Sequence, residues 1–181
     1  MKKIRGEYFS WLAAILYFYV DENFGADIIN QKTMMEKVEH TTLINAVPAK
    51  VWKYLTDPDL MRSWMGEPEM KIEVLTDWVV GNPVVIRGFH HAAFENNGTV
   101  MAFDPHRVLQ YSHFSSVSRL PDTAENYSVI TFLLTPVEGQ TSLTIRVENF
   151  PTETIYRHLA FYWRGILVLL KQRIETTVSA E

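Results

Sequence analysis

TETIYRHLAFYWRGILVLLKQRIETT, residues 152–177, reads as one long amphipathic helix. Apolar residues recur at 155, 159, 162, 166, 170 and 174, and Tyr156, Ala160, Trp163 and Leu167 widen the stripe beyond about 100°. A stripe that wide wants apolar neighbours on more than one side, as when a curved sheet grips the helix and other elements touch its flank. Arg157, Arg164, Lys171 and Arg173 take much of the remaining surface, and positive charge toward the end of a helix suits its dipole.

The partner of that helix is written upstream. TTLINAVPAKVWKYLTDPDLMRSW, residues 41–64, reads as a strand followed by two short helices. Thr41 to Ala46 is β-prone, and Pro48 presets φ for a first helical turn. Val51, Trp52 and Leu55 follow at helical spacing, and Asp57-Pro58 stops the helix because the residue before proline is pushed out of the α region. Asp59 is placed to cap a second short helix, Leu60 to Trp64. From Met70 the period changes to two, with Met70, Ile72 and Val74 alternating with Lys71 and Glu73. Gly81-Asn82-Pro83 marks a turn, Val84 to Phe89 a strand, and Glu95-Asn96-Asn97-Gly98 a hairpin, since Asn-Gly tolerates positive φ. Thr99 to Phe103, Val108 to Phe114, Tyr127 to Leu134 and Thr141 to Val147 complete six or seven antiparallel strands. Ser115 to Asn126 is a polar loop. The expected fold is α+β: a curved antiparallel sheet wrapped around the long C-terminal helix, with two short helices after the first strand.

Several motifs in this order resemble a known family. They are Ile44-x-Ala46-x-Pro48-Ala49-x-Val51-Trp52, Leu55-Thr56-Asp57-Pro58 and Trp64, then Gly98-x-Val100, Asp104-Pro105, Leu109-x-Tyr111-Ser112 and Thr141-x-Leu143-Thr144. The series is similar to the domain of the activators of heat-shock-protein ATPase, within the START-like, birch-pollen-allergen-like superfamily of helix-grip proteins. It covers about residues 38–177. The resemblance implies a cavity between sheet and long helix. It implies little about activity, because similar domains serve as lipid carriers, cyclases, stress-related binding proteins and chaperone regulators.

The composition narrows the choice. Of 181 residues, 47% are hydrophobic and 21% charged, as in a folded globular chain. A net charge of −4 and the lack of a basic stripe argue against nucleic acid as a partner. With no cysteine there is no disulfide, thiolate metal site or cysteine nucleophile, and a reducing cytoplasm is the expected setting. The chain contains neither GxSxG, GxxxxGK[ST] nor GxGxxG, so serine hydrolysis, phosphate cradling and dinucleotide binding lack their signatures. No cofactor or metal is called for. His90-His91 would point to opposite faces of a strand, and only in a turn would both reach one metal ion.

Trp64, Trp78, Phe94, Met101, Phe103, Tyr111, Phe132, Tyr162 and Trp163 are candidates to line the cavity, the alternative being that they fill it as core. His113 shares a strand face with Leu109 and Tyr111, and alternation leaves open whether that face or the other is the inner one. Arg87 carries the same ambiguity; buried, it would have to be paired, and a carboxylate-bearing ligand is one partner that would serve. The functional expectation is a non-enzymatic binding protein that takes a hydrophobic small molecule, oriented by Tyr111, His113 or Arg87. One alternative is a protein-interaction module regulating a chaperone-like partner. A second is a cyclase- or dehydratase-like enzyme with a cavity histidine as general acid or base.

Residues 1–37 form an extension ahead of the domain at 38–177, and 178–181 a tail. Met1 to Arg5 is basic, and Phe9 to Val20 (FSWLAAILYFYV) is an apolar run of twelve. No small-x-small cleavage site follows, and twelve residues fall short of the ~20 that span a bilayer, so stable membrane insertion is not expected. The segment is expected to be an added helix packed on the domain or joining two copies as a homodimer, or an extension upstream of a start at Met34 or Met35.

Overall fold

The computed structural model describes residues 37–115 and 118–176. The chain divides between residues 35 and 36, and the fold below is that of the second unit. The expectations for the N-terminal apolar run and for the tail lie outside the described residues.

Seven strands form one antiparallel sheet: β1 (Lys37–Ile44), β2 (Glu73–Leu75), β3 (Pro83–His90), β4 (Ala92–Asp104), β5 (Val108–Ser115), β6 (Ser128–Val137) and β7 (Gln140–Glu148). Their order is β1-β7-β6-β5-β4-β3-β2. Thus β2 to β7 run as a meander and the first strand closes against the last, with Lys37 opposite Glu148 and Ile44 opposite Thr141. Helices α1 (Pro48–Thr56) and α2 (Pro58–Arg62) separate β1 from β2, and α3 (Glu153–Thr176) follows β7. This is the curved-sheet, helix-grip arrangement expected from the sequence.

The hinge between the two short helices is one residue, and it is Asp57 and not Asp59. Its backbone N–H closes α1 on the Lys53 carbonyl, and its carboxylate accepts from the Asp59 and Leu60 amides at the start of α2. Asp59 lies within the first turn, where negative charge suits the dipole. Asp57→Ala is expected to cost about 1 kcal/mol in urea unfolding, the usual worth of an N-cap. A change below a few tenths would show that the Pro58 geometry alone sets the corner.

The C-terminal half of α3 lies on β1 and α1. Leu170 and Ile174 are fully buried there with Ile44, Val51, Leu143 and Val147. Burial of one such side chain is worth roughly 1.5–3 kcal/mol, so this layer is where the helix is held. At the β1 edge, Lys171 donates to the Leu43 carbonyl and Glu175 accepts from the Asn45 amide, while the two side chains pair with each other.

Two expectations about turns fail. The hairpin between β3 and β4 turns at His91, which has φ +57, and Asn96-Asn97-Gly98 lies inside the thirteen-residue strand β4. Glycine is needed at 98 for a different reason from turning: a Cβ there would sit 1.7 Å from the Ser112 carbonyl oxygen on β5. The backbones approach closely at that point, and Thr99 N–H bonds the Ser112 hydroxyl. A register shift between Val100 and Ala102 follows. The strand expected from Met70 begins only at Glu73, because Pro68–Met70 forms a 3-10 turn and Lys71 leaves it with φ +48. The hairpin of β6 and β7 turns at Glu138-Gly139, both at positive φ as a type I′ turn requires.

Candidate functional site

The inner face of β5 carries Leu109, Tyr111 and His113, which settles the side that alternation left open. Leu109 and Tyr111 are buried in the core, and His113 stands at the end of the row. Its cross-strand neighbour on β6 is Ser128. Directly opposed residues share a face, with Cβ atoms about 5 Å apart. His158, one turn into α3, and Ser115, Ser118 and Asn126, from the end of β5 and the loop after it, close a recess around this pair. Pro151, Ile155 and Leu159 form its apolar wall. The space inside is about 10 Å³, about enough for one water-sized group.

Ser128 is 1% exposed and lines the recess with the two imidazoles. The Ser118 hydroxyl accepts from the Leu120 amide, and Asn126 donates to the Pro121 carbonyl and the Thr123 hydroxyl. The buried side-chain polar atoms without a partner among the described residues, His40 Nε2 and Trp163 Nε1, lie outside the recess. His113 keeps a sliver of surface on the recess while protein surrounds the rest of the ring. Burial, reinforced by the nearby His158 imidazole, pushes its pKa down to about 4. His158 stands at the rim, exposed on one side, and protein against its inner side lowers its pKa too. Both rings are therefore neutral at pH 7. Each has one N–H to donate and one nitrogen to accept.

Inward from the recess the interior is packed with rings. His158 stacks on Tyr162, Tyr162 meets Trp163 edge-on, and Trp163 meets Phe132, with centroids 5.2–6.4 Å apart. Phe132 then stacks on Tyr111, Tyr111 meets Trp78, and Phe103 lies between Trp78 and Trp52. Trp64, Tyr111, Phe132 and Trp163 are each at most 2% exposed. Trp64 and Trp78 donate their indole N–H groups to the Tyr54 and Thr56 carbonyls, and Tyr162 donates to the Met65 carbonyl. The indole N–H of Trp163 is buried without a partner. Desolvation raises the pKa of Tyr111 and Tyr162, so both phenols stay protonated.

The other sequence candidates lie elsewhere. Arg87 is on the outer face, paired with Glu73 at 2.7 Å. It borders an open surface groove of about 400 Å³, with Phe94 half-buried over Gly88. Met101 is 46% exposed, at the register shift of β4. His90 and His91 sit at the β3–β4 turn with rings 4.5 Å apart. Among the described residues no three or more His, Asp or Glu side chains gather as a metal site would require.

Of the sequence candidates, only His113 belongs to the recess. Ser128 and His158 were missed, because neither carries a motif and their proximity depends on strand register and helix phase. The one signal available was that Ser128 opens a strand whose following inner positions, Ile130 and Phe132, are all apolar.

A family model described as activator of Hsp90 ATPase homolog 1-like protein matches residues 45–175. Among solved structures, the chain is similar to a Cytophaga hutchinsonii protein at 33% identity and TM-score 0.66, over 79% of this chain and 96% of that one. It shares its fold with a Chromobacterium violaceum protein at 19% identity and TM-score 0.68, covering 77% and 97% of the two chains. The same holds for Aha1 of Colwellia psychrerythraea, described as a dimer in solution, at 22% identity and TM-score 0.61, covering 77% and 96%. No curated protein matches the chain.

Proposed function

The chain belongs to the activator of Hsp90 ATPase homolog 1-like family, and from that premise we propose a non-enzymatic binding protein. It takes an apolar small molecule by a polar end, in the recess between β5, β6 and the start of α3. The observation that carries this reading is the recess itself, where Ser128, 1% exposed, stands opposite His113 across the β5–β6 ladder with His158 at the rim. Ligand sites are concavities with an apolar wall and a few convergent polar groups that fix orientation, and this recess has both.

The family's ligand-binding or regulatory character agrees with this reading. Whole-ligand burial deeper in the grip would require the aromatic rings to move, since they occupy that space. Acid–base chemistry is disfavoured: an imidazole pushed to about 4 is a weak base and at pH 7 lacks the imidazolium proton that a general acid gives up. The test uses Ser128→Ala. It should stay folded, within about 1 kcal/mol of wild type in urea unfolding, since it removes one small side-chain group. It should weaken capture of the ligand that co-purifies with the wild-type chain, read by native mass spectrometry. A folded variant with an unchanged ligand load would contradict the proposal.

A second reading, contact with another protein or another copy, draws on an apolar corner. The Gly81 amide bonds the Val100 carbonyl, which sets exposed Val79 and Val80 near exposed Met101. A full chain that sediments as one copy and retains no partner on gentle purification from its source would remove it.

A further inference from the structure

The lining of the recess restricts what the ligand's polar end can be. Among the described residues, no Lys, Arg, Asp or Glu side chain lines it, and its two imidazoles are neutral at pH 7. An ion of either sign placed there would lose its hydration and meet no opposite charge, an arrangement proteins avoid. The space of about 10 Å³ holds one water-sized group, so it receives a single oxygen and not a branched head such as a phosphate. The Ser128 hydroxyl and the imidazoles each offer both a donor and an acceptor. They can therefore serve a carbonyl oxygen, which only accepts, or a hydroxyl, which does both. Leu159 is buried and Ile155 half-buried beside them on α3, and this wall suits a hydrocarbon body.

Resting on the binding reading above, we propose that the recess selects an uncharged oxygen head group, an alcohol, phenol or ketone, on an apolar body. Carboxylates and amines of the same shape are turned away. Selection comes from the absence of a countercharge, as much as from the hydrogen bonds made.

The test uses the full chain at pH 7.5 and a panel of matched triplets. Each triplet carries an alcohol, a carboxylate or a primary amine on a phenethyl, naphthylmethyl or decyl body. The ring signals of His113 and His158 and the Ser128 amide are followed by NMR. The alcohols are expected to shift all three sets of signals, binding at least tenfold more tightly than the matched carboxylates and amines. In Ser128→Ala, which should stay folded by the same NMR spectra, alcohol affinity should drop at least fivefold. Carboxylates or amines binding the recess as tightly as the alcohols would overturn the uncharged-head inference while leaving a binding site in place. If no member of any triplet moves these signals, the recess is not a ligand site, and both readings fall.

Discussion

Gly98→Ala is expected to lower the stability of this protein by at least ~3 kcal/mol, among the larger effects a single methyl group can have. The added Cβ would sit 1.7 Å from the Ser112 carbonyl oxygen and 2.7 Å from its carbon. That atom is backbone, so no side-chain rotation relieves the clash. Strands β4 and β5 would have to part, or slip, at the point where the Ser112 hydroxyl already stands in for a ladder bond to Thr99. Parting them disturbs the whole outer half of the sheet, since β3 and β2 join the ladder through β4. Urea unfolding measures the loss. A cost below about 1 kcal/mol would mean that the two strands pair in another register at this point.

Acidification should have the next largest effect, through His113. Its pKa falls from 6.5 in the unfolded chain to about 4 in the fold, first because of burial and second because of His158. Between those values the unfolded chain binds more protons than the native one, so stability rises with pH. The contribution is complete above about pH 6.5 and is lost as the pH falls through 4. A shift of that size corresponds to about 3 kcal/mol, and to somewhat less because the ring keeps a little exposure to water. The titratable group beside it is His158, and among the described residues no carboxylate lines the recess to offset the charge. His158 also has a lowered pKa and adds in the same direction.

His113→Gln should keep the fold and flatten this slope. Urea unfolding of wild type and variant at pH 7.5 and 4.5 reads the difference directly, and contributions from surface carboxylates cancel in it. Equal slopes would mean that the imidazole is solvated in the native state.

Most of the architecture was legible because it rests on local patterns. The wide stripe on residues 152–177 implied a gripped helix, and α3 runs from Glu153 to Thr176. Pro48 and Asp57-Pro58 placed both short helices, since proline acts on its own φ and on its predecessor whatever surrounds it. The choice of Asp57 over Asp59 as the cap was harder, because both sit within a residue of Pro58. Asn97-Gly98 misled for a related reason. A glycine that permits a turn and a glycine that admits a neighbouring backbone look the same until the neighbour is known. His90-His91 had no turn signal of its own, yet the hairpin reverses there because the pairing of β3 with β4 runs uninterrupted from Pro83–Thr99 to His90–Ala92.

For the site the balance reverses. The period-two pattern could list Leu109, Tyr111 and His113 on one face, but not say which face α3 would cover. Aromatic residues that could line a cavity or fill one have the same composition, and only the fold sets the ring contacts that run from Tyr162 to Phe103. Arg87 went to the outer face because Glu73 lies opposite it across the β2–β3 ladder. Ser128 and His158 are 30 residues apart in the chain, and His113 comes from a third element. Helix periodicity, proline and strand alternation act within a few residues, so the chain's own order was enough for the grip fold. Which polar groups end up facing one another depends on register, helix phase and sheet curvature together, and those exist only once the distant strands have met.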